Sequence, residues 1–318
     1  MALTCAVLLG SMCWLALAPF DGADLRSHAH PSSSFADALR RIDSLATTDD
    51  AGVDPRCRVR VFHHGHRTGR VVVLFHGLTN CPQQFDEFAR RVHTRGANVL
   101  VVRLPHHGLT DRMTTDLGRL RAAELTAMAD FAVDVARGLG DSVSVAGLSV
   151  GGTMALWIGQ HRADVDRVVA IAPLLGVRAV AASLTTSAAR LAMVLPDQAM
   201  WWDDEKQANL PGPPYCYPRF STRAVGETVR LGRAVAEWAR RSPPAAASVV
   251  LVTVANDPAV SNPPIEALAA AWRQKAPDRI ETFEFPADLG IGHDMIDPLQ
   301  PYARLDVAYP PLIERLWR

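Results

Sequence analysis

The sequence predicts an α/β protein with a mostly parallel central sheet, helices on both of its faces, and an inserted helical cap. Three observations carry that prediction. Short β-branched runs recur along the chain, helical periods fill the gaps between them, and one gap is far too long for an ordinary crossover. With 318 residues, 48% of them apolar and 21% charged, the chain has enough apolar material for one large domain.

Taken in order, the predicted strands are RVVVLF (70–75), NVLVVRL (98–104), SVSVAG (142–147), RVVAIA (167–172), SVVLVTV (248–254) and IETFEF (280–285). Most are apolar at successive positions, as strands covered on both sides are. CPQQFDEFARRVHTRG, RAAELTAMADFAVDVARGLG and PIEALAAAWRQKA supply helices between them. These elements assign 57–173 and 245–318 to the core. Residues 174–244 break the alternation with two helical patterns, the pair Trp201 and Trp202, and the Pro-rich LPGPPYCYPRF. A crossover needs far fewer residues, so this segment is expected to form a cap over the strand ends. Its aromatics Trp201, Trp202, Tyr215 and Tyr217 have two readings: they line a substrate pocket, or they form the cap's own small core.

The chain ahead of the core divides in two. Residues 21–56 are rich in Ser, Asp, Ala and Pro and carry one amphipathic stretch, SFADALRRIDSL, which reads as a linker with a short helix lying on the body. Residues 1–20 are different. Ala2 to Ala18 contain no charge, and VLLGSMCWLALA with Ala16 and Ala18 matches the apolar region and cleavage pattern of an export signal. No Lys or Arg precedes the run, so a retained N-terminal membrane anchor stays open, as do a lipid-modified Cys13 and a cytosolic chain. The expected location is outside the cytoplasm, in solution or held at a membrane by this segment.

Cysteine usage bears on the same point. Cys5 and Cys13 lie in the leader, which leaves Cys57, Cys81 and Cys216. A Cys57–Cys81 bridge would staple the start of the core to the loop after its first strand, and three buried thiols are the alternative.

Charge excludes other classes. Formal net charge is zero, and the basic residues are nearly all arginines scattered among acids, with Lys206 and Lys275 the only lysines. Nucleic acid is therefore not an expected partner. His63, His64 and His66 lie close together, as do His106 and His107, but neither group has a Cys or carboxylate at ligand spacing in the sequence, so no metal is expected.

The chemistry is carried by VAGLSVGGTM (145–154), where Ser149 has glycines two residues before and two after it, a strand behind and a helix ahead. Ligands of open parallel sheets bind at the carboxyl ends of strands. A strand that turns there directly into a helix strains the residue at the tip and crowds its neighbours, so Gly147, Gly151 and Gly152 remove Cβ atoms that would clash. A serine hydroxyl held in that way still needs a base, and the base an orienting acid. Asp257, in TVANDPAV, follows the end of one core strand, and His293, in GIGHDMIDP, follows the end of the last. LFHGLTNCPQQF leaves the first strand at the same edge, where the backbone amides of Leu78 and Val150 would meet to hold an oxyanion; His76 is expected to support that loop.

VVVLFHGLTNCPQQF, RLPHHGLTDRM, VAGLSVGGT, NDPAV and GHDMID together resemble the α/β-hydrolase superfamily in its carboxylesterase and monoacylglycerol lipase-like branch, over about residues 57–318. The resemblance implies the α/β-hydrolase fold, with Ser149 as nucleophile, Asp257 as acid and His293 as base in the family's chain order, and Leu78 and Val150 as oxyanion donors. It implies hydrolysis of a small or lipid-like ester with no metal or organic cofactor. Acyl transfer by the same triad is the alternative reaction. A non-catalytic binding protein of this fold need not keep all three positions, and a dehalogenase would need a carboxylate where Ser149 stands.

Overall fold

The computed structural model describes residue 20 and residues 22–48, 52–210 and 212–318. The leader, residues 1–20, lies outside the described residues apart from Phe20. Among the described residues no helix is long and apolar enough to cross a membrane.

In chain order the elements are α1 (Phe35–Thr48), β1 (Arg60–Phe62), β2 (Thr68–Phe75), α2 (Asp86–His93), β3 (Asn98–Val102), α3 (Ala122–Leu139), β4 (Gly140–Leu148), α4 (Val150–His161) and β5 (Arg167–Ile171). Then come α5 (Thr185–Val194), β6 (Ala199–Trp201), β7 (Arg219–Ser221), α6 (Thr222–Arg241), β8 (Ser248–Val254), α7 (Asn262–Arg273), β9 (Ile280–Phe285) and α8 (Leu305–Trp317). Seven strands form one sheet in the order β1-β3-β2-β4-β5-β8-β9, parallel throughout except where β1 runs against β3. This is the α/β-hydrolase fold expected from the sequence. The six predicted strands are present within two residues at each end, whereas β1, the β6–β7 hairpin and α8 were not anticipated.

The central strands form where they do because they are short β-branched runs with no polar face, whereas β9 at the edge alternates buried and exposed residues. Val71 to Phe75 and Val99 to Val102 are fully buried, as strands covered by helices on both sides must be. Trp157 of α4 and Trp272 of α7 are buried completely, and each indole N–H is satisfied, by Leu25 O at 2.7 Å and Gln160 Oε1 at 2.8 Å. Truncating either to alanine would cost about 3–5 kcal/mol.

The segment before the core is bound rather than loose. Arg162, at the end of α4, is buried against Asp130, Asp134 and Asp164 at 2.7 to 2.9 Å. One guanidinium faces three carboxylates there, and the surplus acceptors take Ser27 Oγ and the amides of His28 and His30. A charge network in α3 and α4 thereby fastens residues 27–30 to the body.

Strand order also decides where a ligand can bind. The chain moves from β2 outward to β3 and then returns to β4 on the other side of β2. At such a switch the loops leaving the carboxyl ends of β2 and β4 diverge and open a crevice. Phe75 pairs in register with Gly147, so the loop carrying Leu78 and the turn carrying Ser149 start level with each other.

Candidate active site

Ser149 stands at the tip of the β4–α4 turn with φ 57° and ψ −112°, a conformation that costs a residue with a Cβ about 1–3 kcal/mol. The surroundings hold it there. Its N–H donates to Ile171 O at 2.9 Å, and its carbonyl accepts the Thr153 and Leu174 amides at 3.0 and 3.1 Å. A Cβ on Gly147 would stand 2.1 Å from Gly151 O, and one on Gly151 would stand 2.1 Å from Phe75 O, so both positions admit only glycine.

The loop after β2 lies against this turn. A Cβ on Gly77 would be 3.7 Å from that of Ser149. His76 is buried, donates from Nδ1 to Gly77 O at 2.9 Å and accepts the Leu104 amide on Nε2 at 3.1 Å. Burial, with the neighbouring His107 and Arg103, keeps its imidazole well below the usual range, so it acts as a neutral brace. No acceptor among the described residues takes the amide of Leu78 or of Val150.

Asp257 and His293 meet across the ends of β8 and β9. His293 Nδ1 donates to Asp257 Oδ2 at 2.8 Å, and Asp257 Oδ1 accepts the Ala259 and Val260 amides at 2.8 and 2.9 Å. Burial favours neutral forms at both groups. The mutual hydrogen bond and charge outweigh it, holding Asp257 below the usual carboxylate range and His293 above the usual imidazole range. With Nδ1 committed, Nε2 is the nitrogen left to accept a proton. No hydrogen bond joins Ser149 Oγ to His293 among the described residues; in unliganded sites such bonds are often long until substrate closes the geometry.

Two residues that sequence reasoning missed tie these loops together. Gln84 is fully buried, accepting the Gly77 amide on Oε1 at 2.8 Å and donating from Nε2 to Asp294 Oδ1 at 3.1 Å. Thr79, held at φ 63°, receives Trp202 Nε1–H on its hydroxyl at 2.9 Å and the Tyr217 amide on its carbonyl at 2.8 Å. Neither carries a sequence signal, because both depend on partners distant in the chain.

The cap aromatics separate. Trp202 is 49% exposed beside the Thr79 loop and packs on Phe220 at 4.5 Å, whereas Trp201, pointing the other way along β6, meets the guanidinium of Arg219. Tyr215 corrects the expectation of a pocket wall. It is 3% exposed, in a small core with Cys57, Cys81 and Cys216, and its hydroxyl donates to Asp297 at 2.7 Å. Of the two readings open for it, Tyr215 takes the structural one, because a buried phenol needs an acceptor and Asp297 supplies it. Cys57 and Cys81 are joined by a disulfide, and Cys216 is a buried free thiol. His106 faces Asp116 and Glu124 at 2.7 and 3.2 Å, a pairing hidden in the sequence by separations of 10 and 18 residues. Among the described residues no group of His, Cys, Asp and Glu could hold a metal ion.

A strained serine between a strand and a helix, with a histidine–aspartate pair at the same edge of the sheet, is the layout of one family of hydrolases. The family model for serine aminopeptidase S33 matches residues 66–284. The chain belongs to that family. The chain is also similar to the thermostable monoacylglycerol lipase of Bacillus sp. (strain H-257), 29% identical over 120 residues, a stretch covering 36% of this chain and 44% of that lipase. Among solved structures, a metagenome-derived lipolytic enzyme superposes with a TM-score of 0.58 at 17% identity, covering 83% of this chain and 96% of the other. A soluble variant of monoglyceride lipase from Saccharomyces cerevisiae, in complex with a substrate analogue, gives 0.59 at 14% identity over 81% and 90%. These last two are likenesses of fold. The S33 assignment agrees with the carboxylesterase and monoacylglycerol lipase-like branch of the α/β-hydrolases that the motifs resemble.

Proposed function

We propose that the protein hydrolyses carboxylic esters through an acyl-enzyme on Ser149. His293 Nε2 takes the hydroxyl proton as Oγ attacks the ester carbonyl, then returns it to the departing alcohol. Asp257 fixes the imidazole and stabilises its charged form. The amides of Leu78 and Val150 receive the oxyanion, aided by the N-terminus of α4. Water, activated by the same imidazole, releases the acid.

The observation that carries this reading is the Asp257–His293 pair, fully formed at the sheet edge where Ser149 is held in a strained turn. Residues 57–173 and 245–318 are the hydrolase core in this account, and 174–244 is a cap that selects substrate. The disulfide supports a location outside the cytoplasm, where such bonds persist.

The test is a chain-length series of p-nitrophenyl esters, run beside an aminoacyl p-nitroanilide because the family takes its name from serine aminopeptidases. Turnover of esters that vanishes in Ser149→Ala is expected. Faster cleavage of the anilide than of every ester would overturn the ester reading in favour of an aminopeptidase.

A further inference from the structure

We infer that Gln84 is a positioning residue that sets the oxyanion loop and the His293 loop against each other, an inference that rests on the serine-hydrolase reading above. Both ends of its buried amide are used, one on the Gly77 N–H and the other on Asp294, 210 residues away in the chain. Capturing the Gly77 amide turns that peptide toward Gln84. The next amide, Leu78, is then the one left for an oxyanion beside Ser149. Gln84 is itself secured, because its own N–H donates to Cys81 O at 2.9 Å in a turn that the Cys57–Cys81 bridge holds down.

The other end acts on the base. Asp294 is the residue next to His293, and its charge adds to that of Asp257 in favouring the imidazolium. The charged groups acting on Asp294 are His293 and Asp257, while Asp297 and the Cys216 thiol feel its charge from the far side. A neutral amide can orient Asp294 without adding charge to this cluster. A carboxyl group of the same shape at position 84 would share one proton with Asp294, because two like charges in one buried site do not both ionise, and so would keep both hydrogen bonds at unchanged net charge. An apolar side chain would instead leave Asp294 without its donor, favour its protonated form and weaken its support of the His293 imidazolium.

Two variants test the role. Gln84→Leu breaks both hydrogen bonds and is expected to lower kcat on a p-nitrophenyl ester about 100-fold with KM within about threefold, since an oxyanion donor acts in the transition state. Loss of the donor to Asp294 in the same variant is expected to move the His293 imidazole titration followed by NMR to lower pH, and Gln84→Glu, which keeps both hydrogen bonds, is expected to restore kcat to within about fivefold of wild type. A folded Gln84→Leu with kcat within twofold of wild type would overturn the inference. Should that variant not fold, Gln84→Met, unbranched and of nearly the same length, is read in the same way, and an unmoved imidazole titration there would overturn the inference alone. The NMR titration does not depend on turnover, so it reads the Gln84–Asp294–His293 coupling even if Ser149-dependent ester hydrolysis fails and takes the hydrolase reading with it.

Discussion

The β4–α4 turn and the segment between β5 and β8 both lie against the loop after β2 but are built in opposite ways. At the turn, backbone meets backbone. Gly147 and Gly151 sit where any Cβ would fall within 2.1 Å of a carbonyl oxygen, and Ser149 is held by three main-chain hydrogen bonds. In the segment between β5 and β8, large apolar groups stay in the open: Leu184, Leu191, Val194, Leu195, Met200 and Trp202 are all exposed. A site that must place an atom to within a fraction of an ångström is built on rigid elements, and selection of substrate tolerates looser ones. The expected consequence is a steep gradient of mutational effects from one side to the other.

The largest effects belong to the turn and its partners. His293→Ala is expected to reduce turnover by 10⁴-fold or more, about that of Ser149→Ala, and the double variant should be little worse than either, because residues acting as a unit are not additive. Multiplicative losses in steady-state kinetics would break the idea of a shared mechanism. Asp257→Asn should cost about 10⁴-fold and also shift the profile. The Asp257 carboxylate raises His293, which must be neutral to accept a proton, so activity appears as pH rises through that raised value. Without the charge the acid limb of kcat/KM should move to lower pH. An unmoved limb would point to Asp294 as the effective acid.

Gly151→Ala comes next. Its methyl would collide with main-chain oxygen of β2, which cannot move without breaking the sheet, so a loss of about 4 kcal/mol in urea unfolding is expected. The Cys57–Cys81 bridge, closing a loop with a separation of 24 residues, should contribute about 3 kcal/mol. Thermal unfolding of Cys57→Ser with Cys81→Ser measures that loss. At the shallow end, Trp202→Ala should alter the preferred ester chain length by one or two carbons while changing stability by about 1 kcal/mol or less, since its ring is half exposed. A fall in kcat across every chain length would instead assign Trp202 to the Thr79 loop's geometry.

The same contrast explains what could be read from the sequence. The strands were legible because β-branched runs at near-regular intervals admit few alternatives, and SVVLVTV and IETFEF were bounded to the residue. Ser149 was legible because its glycines are required locally, and Asp257 and His293 because they follow the ends of the last two strands in the order the family uses. Gln84 was not, since a buried glutamine in a short turn looks like any polar loop residue until the loop after β9 arrives beside it. Thr79 and Tyr215 were hidden for the same reason: their partners, Trp202 and Asp297, are 123 and 82 residues distant. β1 escaped notice because three residues, all half-buried, carry no period. Local steric demands were visible, and side-chain pairs made by the topology were not.

The central claim is that Ser149 is an activated nucleophile, and reaction with a fluorophosphonate probe tests it most directly. Wild-type protein should be labelled on a single peptide containing Ser149, with labelling lost in Ser149→Ala and slowed in His293→Ala, while Trp202→Ala keeps it. Labelling at another residue, or none in wild-type protein with an intact Asp257–His293 pair, would contradict the account.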